Sequence, residues 1–318
     1  MPKTLVARLL PRLRSARAGV TVGLELQPNS LALVAQQQVN GQAQVRHLDV
    51  LALTPADNPA QLLKSWVAEH KLTKAGCRVV LGADTYQILL VEPPDVPWEE
   101  LRHAIRWRLK DLISIPVDQA ALEVFALPAD GLRSNKKMVY VVACESKKIR
   151  FVIDMVREAG LELISIDIGE LSLRNLALRL LPPEQAERSI AVVRIRQGAG
   201  SIYIYRQGNL YLGRTFSLNY NGGLMDTLPE EALALELQRS LDYYERQMGQ
   251  APPAAIYVCG ENISQDKIGT VLKASLAPQV KWLDPAEIAH FSAEESDDAL
   301  VQQCIAALGG ALRVDEAA

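Results

Sequence analysis

Four cysteines and four histidines are the first residues that could do chemistry. Cys77, Cys144, Cys259 and Cys304 lie far apart and form no Cys-x-x-Cys pair, so neither a thioredoxin-type nor a zinc-ribbon site is expected. Each sits in an apolar stretch, which fits buried thiols in a reducing compartment. His47, His70, His103 and His290 are isolated, and no His-Glu-x-x-His helix occurs. Gly-x-x-x-x-Gly-Lys and Gly-x-Ser-x-Gly are absent, and Gly198-x-Gly200 lies in a hairpin rather than before a helix. These spacings yield no catalytic set and no metal-ligand set.

Charge points to binding instead. Residues 1–19 carry Lys3, Arg8, Arg12, Arg14 and Arg17 and no acid. Leu5, Leu9 and Leu13 recur at four-residue spacing, so this segment is either a plain basic arm or an apolar edge suited to an anionic membrane surface. Pro11 and the arginines break any signal-peptide core. The net charge of −3 and pI of about 5.9 argue against a nucleic-acid partner. No apolar run reaches the ~18 residues a membrane span needs.

The elements that must position any site follow from pattern. At 318 residues the chain exceeds one ordinary core, so two lobes are expected. VTVGLEL (20–26), LALVAQQ (31–37) and QVRHLDVLAL (44–53) read as strands, and Asn58-Pro59 starts a helix. CRVVLG (77–82) and YQILLVE (86–92) read as buried strands. The spacing predicts one helix over 98–113, extended segments at 121–127 and 137–144, a helix from Ser146 ending at Gly160, a strand at 161–168, and a helix from 170 to 181. Three strands then recur at 189–196, 201–207 and 209–216, before a long helix at 230–248. A strand at 254–260, a helix near 264–275, a strand at 279–284 and a last helix near 298–312 follow. Glu294-Glu295-Ser296-Asp297-Asp298 reads as a solvated loop before that helix. Each half reads strand-strand-strand-helix-strand, so the pattern is a duplicated α/β lobe with residues 93–160 inserted in the first copy.

A duplicated lobe of this plan resembles the actin, hexokinase and Hsp70 group. Within it the chain is similar to the PilM-like proteins of type IV pilus assembly, and most of all to the MshI type of the mannose-sensitive haemagglutinin (MSHA) system. VGLELQPNSLALVA, LRHAIRWRLKDLISIPVDQAALEVF, VVACESKKIRFVIDMVREAGLELISIDI and the hairpin plus helix from Ile190 to Met248 carry the likeness, which spans roughly 20–312. It implies an actin-like (duplicated ribonuclease H-like) two-lobed fold with an inserted subdomain. The boundaries read as a basic arm (1–19), a first lobe (20–92 and 161–183), the insertion (93–160) and a second lobe (184–318). The type II secretion platform protein of similar fold normally continues into a membrane helix, whereas this sequence ends Arg-Val-Asp-Glu-Ala-Ala.

The resemblance also implies where ATP would sit. Each lobe of that group opens with a hairpin whose Asp-x-Gly turn wraps the phosphates, because the aspartate orders metal-bound water and the glycine lets backbone N–H groups approach. Here the matching positions are Glu25 and Gln27 in the first hairpin, with Pro28 removing a donor, and Arg194 and Arg196 in the second. Ala32 falls where the family often has lysine. An arginine cannot hold Mg²⁺. The adenosine loop reads Cys259-Gly260-Glu261-Asn262, with one glycine left. Asp167-Ile168-Gly169 spells the missing motif, but at a strand-to-helix junction, where the family has its lobe-crossing helix. The expectation is therefore a degenerate site with no cofactor, no catalytic residue and no ATP hydrolysis, and with an acidic group contacting Arg194 or Arg196.

What the resemblance leaves is an adaptor at the cytoplasmic face of the bacterial inner membrane. Family members bind the N-terminal tail of a bitopic PilN-like membrane protein, between the first lobe and the insertion, and join it to the pilus assembly ATPase. In the insertion Arg102, Arg106 and Lys110 step by four, with Glu99, Glu100 and Asp111 beside them, so they form either a partner-binding ridge or an ordinary solvated face. Trp107 lies off the apolar stripe and is either core against the inserted sheet or part of the groove.

Overall fold

The computed structural model describes residues 19–134, 136–221, 226–292 and 297–314. Residues 1–18 of the basic arm, and Glu294, Glu295 and Ser296 of the acidic stretch, lie outside them. Strand β1 (Val20–Gln27) turns through Pro28-Asn29 into β2 (Ser30–Val39), with Gln27 opposite Ser30. Asn40 and Gly41, at φ 52° and 80°, make the next turn. Positive φ at both positions matches the twist of a hairpin, and β3 (Gln42–Ala52) returns along β2. Helix α1 (Pro59–Glu69) is capped by Asn58, whose side chain accepts the Ala60 and Gln61 N–H groups. Strand β4 (Gly76–Leu81) is buried along its whole length and lies parallel to β1, with β8 (Glu162–Ile168) parallel on its far side. A strand covered on both faces needs no alternation, which is why this segment reads as a continuous apolar run.

The second lobe repeats the first. Strands β9 (Ile190–Arg196), β10 (Ala199–Arg206) and β11 (Asn209–Ser217) form antiparallel pairs, and β12 (Ala255–Gly260) and β13 (Gln279–Trp282) add in parallel. The two sheet orders are β3-β2-β1-β4-β8 and β11-β10-β9-β12-β13. Position by position they are the same sheet. Helix α6 (Glu230–Arg246) buries Leu233, Leu237, Leu241 and Tyr244 against the second sheet, and α7 (Thr270–Ser275) packs beside it. Helix α4 (Ser146–Glu158) packs on α1 and β8, and α5 (Gly169–Leu180) runs from β8 into contact with both lobes.

A third sheet, β5-β7-β6, belongs to the insertion. It is formed by β5 (Tyr86–Val91), β6 (Ala120–Ala126) and β7 (Val139–Glu145). Val139, Val141 and Ala143 face a separate small core with Leu101, Ile105 and Leu109, while Tyr140, Val142 and Cys144 join the main core. Successive strand residues thus serve two cores.

Three boundaries differ from the sequence pattern. Tyr86–Val91 pairs with β7 and so belongs to the insertion rather than to the first lobe; a buried strand's apolar run does not say which sheet it joins. The helix expected over 98–113 is two pieces, α2 (Trp98–Ala104) and α3 (Arg106–Leu109), meeting at Ile105. The last helix is likewise α8 (Asp298–Gln303) and α9 (Ile305–Ala311), and α9 packs on β1, β2, β4 and α5 of the first lobe rather than within the second. Asp297 from the acidic stretch caps α8 at the Ala299 N–H.

Glycines permit the α9 packing. A Cβ on Gly23 would stand 1.9 Å from the Ala307 carbonyl oxygen, and one on Gly309 would stand 2.4 Å from the Ser172 carbonyl oxygen. Ser172 Oγ and Asn175 Nδ2 donate to the Ala306 and Gly309 carbonyls at 2.5 and 2.9 Å. No helix among the described residues is long and apolar enough to cross a membrane.

Two predictions follow from this packing. Gly23→Ala sets a methyl against backbone that cannot retreat, and is expected to cost about 2–3 kcal/mol in urea unfolding. The second concerns His47, which stacks on His70 with ring centroids 4.0 Å apart. Burial and then the His70 charge lower the His47 pKa, against Asp49 and Glu69, while Arg46 acts with His70. A depressed imidazole pKa contributes stability that is present above the unfolded value and lost as pH falls. The urea midpoint is therefore expected to drop between pH 7 and pH 5, and less so in His47→Gln.

Candidate functional site in the cleft between the lobes

β1 and β9 hold equivalent places in their sheets, and each delivers one charged side chain to the same point. Glu25 is 3% exposed and Arg194 is 4% exposed. Arg194 Nη1 donates to Glu25 Oε1 at 2.7 Å, and Nη2 to Oε2 at 2.9 Å. The planar guanidinium thus meets the carboxylate edge to edge. Burial lowers the Arg194 pKa, but the Glu25 charge and its hydrogen bonds outweigh burial and hold the group more firmly protonated than in water. The expected contact between an arginine of the second hairpin and an acidic group is present, and it is made by Arg194.

The surroundings fix this pair. Gln27 Nε2 donates to Glu25 Oε2 and to the Gln303 carbonyl, each at 3.1 Å, and Ser30 Oγ donates to Gln27 Oε1 at 2.5 Å. An amide side chain therefore fills the space beside the pair and ties it to the Gln303 carbonyl. Gly260, at φ 129°, has no room for a Cβ, which would stand 1.9 Å from the Ile195 carbonyl oxygen. Its N–H donates to Gln302 Oε1 at 3.0 Å, and the buried Gln302 donates to the Leu283 carbonyl at 3.1 Å. Glu261 stands 3.9 Å from Arg194, and burial raises its carboxyl pKa while Arg194 opposes the rise.

A cleft of about 660 Å³ remains beside the pair, lined by Gln27, Pro28, Ser30, Asp84, Tyr86, Glu170, Arg196, Thr215 and Glu261 among others. Three of these are carboxylates and one is a cation, so the lining has the wrong sign for a polyphosphate. Glu170 accepts the Tyr86 hydroxyl at 2.5 Å, and burial raises its pKa. Arg196 lines the cleft near Glu170 and Glu261, close enough for its charge to act on both; among the described residues it makes no direct ion pair and its Nε has no hydrogen-bond partner. Tyr86, Glu170 and Gln302 were not visible as site residues in the sequence. Glu170 had the one usable signal, an acid in the first turn of a leucine-rich helix. Asp167 does not enter the cleft chemistry. It pairs with Arg313 at 2.5 Å, and Gly169 begins α5.

The insertion residues are not brought together. Arg106 turns inward and donates to the Val117 and Ala120 carbonyls at 2.5 and 3.1 Å. Arg102 faces Glu123 at 3.8 Å, and Lys110 is exposed. No continuous ridge of Arg102, Arg106 and Lys110 forms, because the middle member is spent on the insertion's own backbone. Trp107 is 81% exposed and is not core. It stands two positions past buried Ile105, which in a helix is the opposite face. All four cysteines are free and buried, and burial pushes the Cys77 and Cys259 thiols up to about 12. Among the described residues no three His, Cys, Asp or Glu side chains converge as metal ligands.

Solved structures share this architecture. A PilM–PilN type IV pilus biogenesis complex matches with a TM-score of 0.69 at 20% identity, over 95% of this chain and 98% of that one. A Bacteroides thetaiotaomicron protein with an actin-like ATPase fold matches with a TM-score of 0.50 at 13% identity, over 84% and 92%. The fold is actin-like. The cytoplasmic domain of EpsL, an inner-membrane component of the Vibrio cholerae type II secretion system, matches with a TM-score of 0.50 at 12% identity, over 86% and 89%. No protein-family model and no curated relative matches the chain.

The ion pair makes a stability prediction. Glu25→Ala or Arg194→Ala leaves one buried charge unpaired and is expected to cost about 3–5 kcal/mol in urea unfolding. The double substitution Glu25→Leu with Arg194→Met is expected to recover most of that loss.

Proposed function

We propose that the protein is a non-catalytic adaptor of type IV pilus assembly, of the MSHA (MshI-like) type. Its actin-like frame would bind the cytoplasmic N-terminal tail of a PilN-like inner-membrane protein and connect it to the assembly ATPase. The buried Glu25–Arg194 pair carries this reading. It occupies the point where two phosphate-binding hairpins would converge, and replaces one metal-ordering carboxylate with a cation. Gln27 and Pro28 remove the backbone approach, and the acidic cleft lining opposes a nucleotide. The protein would then work by geometry, as a tie between a membrane partner and a motor, at the cytoplasmic face of the inner membrane. The basic residues of 1–19 would add electrostatic attraction to that surface.

The likeness to a PilM–PilN complex over nearly the whole of both chains supports a PilN-like partner. The EpsL likeness supports a second reading, a platform component of type II secretion, in which the tail of a different membrane protein would bind. An active actin-like ATPase is the third reading, and it requires the cleft to accept Mg-ATP.

A pull-down with synthetic tail peptides separates the first two. Immobilised PilN-like tail is expected to retain the protein with a Kd in the micromolar range, about −8 kcal/mol, while a type II platform tail does not. Retention by the type II peptide alone, or by neither, would contradict the pilus reading.

A further inference from the structure

A second polar cavity lies away from the cleft, where the insertion touches the second lobe. The loop between β6 and β7 carries Asp130 across to that lobe. The Asp130 carboxylate accepts from Arg206 Nη1 at 2.8 Å and from the Tyr211 hydroxyl at 2.8 Å, and its carbonyl accepts from Gln250 Nε2. Beside this contact is a cavity of about 540 Å³, whose wall includes Arg133, Arg188, Arg206, Ser189, Tyr244 and Glu187. Three guanidinium groups therefore surround it, against the Asp130 and Glu187 carboxylates.

The cations are not fully used. Arg206 Nε donates to the Glu187 carbonyl at 3.2 Å, and Nη1 serves Asp130 and Gln250. These contacts engage Nε and Nη1 and not Nη2, and the Arg188 side chain is exposed at the cavity wall. The Tyr244 side chain is 0% exposed, and its hydroxyl makes no well-formed hydrogen bond among the described residues, although the Ser189 side chain lies close enough to act on it. A buried hydroxyl without a well-formed hydrogen bond is costly, so a wall that keeps one asks for an acceptor.

We propose that this cavity binds a small oxyanion, a phosphate or carboxylate group, which replaces the Asp130 carboxylate on Arg206 and releases the loop from the second lobe. Asp130 is the tethered occupant of the same guanidinium. Ligand and loop compete for Arg206, so occupancy of the cavity sets how firmly the insertion is fastened to the second lobe. The inference does not depend on the pilus reading, because its readouts need no partner.

Orthophosphate and citrate are titrated separately into the protein by calorimetry, with hydrogen exchange followed across residues 127–138. Binding is expected, together with faster exchange in the loop. Asp130→Asn removes the competitor and should tighten binding about 5-fold or more, whereas Arg206→Ala should weaken it about 10-fold or more. Tyr244→Phe preserves shape and should weaken binding about 3-fold. Arg239→Ala, outside the cavity lining, should change nothing. Binding of phosphate alone or citrate alone identifies the natural anion's class. No binding of either anion to the Asp130→Asn protein would overturn the proposal. So would binding that Arg206→Ala leaves intact, which would mark an adventitious ion only.

Discussion

One buried ion pair organises the centre of this molecule. Glu25 and Arg194 lie 169 residues apart, yet they occupy matching strands of the two lobes and meet in a bidentate contact. A charge taken out of water is tolerable only when its partner is held in place. The pair therefore demands that β1 and β9 keep their separation. Gln27, Ser30 and Gln303 supply the outer support, and Gly260 lets its loop pack directly on β9. The chain supplies both charges of this contact from its own two lobes.

The remaining architecture holds that contact in place from two sides. Helix α9 returns from the second lobe and lies against β1, β2, β4 and α5, so the chain's last described helix fastens the first lobe. The insertion stacks its sheet on the main core through Tyr140, Val142 and Cys144, and Tyr140 donates to the Tyr211 carbonyl at 2.7 Å on the second lobe. A cleft braced in this way is suited to presenting a fixed surface.

Much of this was legible in the sequence, for identifiable reasons. The duplicated lobe shows because paired β-hairpins alternate and the turns of the second carry Gly198 and Gly208, whose geometry is local. The charges at positions 25 and 194 show as departures from a resemblance, and opposite signs at equivalent positions already imply attraction. What stayed hidden is long-range. Tyr86–Val91 reads as a buried strand whichever sheet it joins. Nothing in residues 305–311 says that its small side chains will face the first lobe, although Gly309-Gly310 and the flanking alanines give it the flat surface needed. The inward turn of Arg106 rests on the Val117 and Ala120 carbonyls, a contact that helical spacing does not reveal.

The central claim is that the Glu25–Arg194 pair has taken the place of nucleotide and metal. Calorimetric titration of Mg-ATP into the protein, with and without EDTA, tests it most directly. The account predicts no binding heat in either condition. Tight binding that requires Mg²⁺ would contradict it.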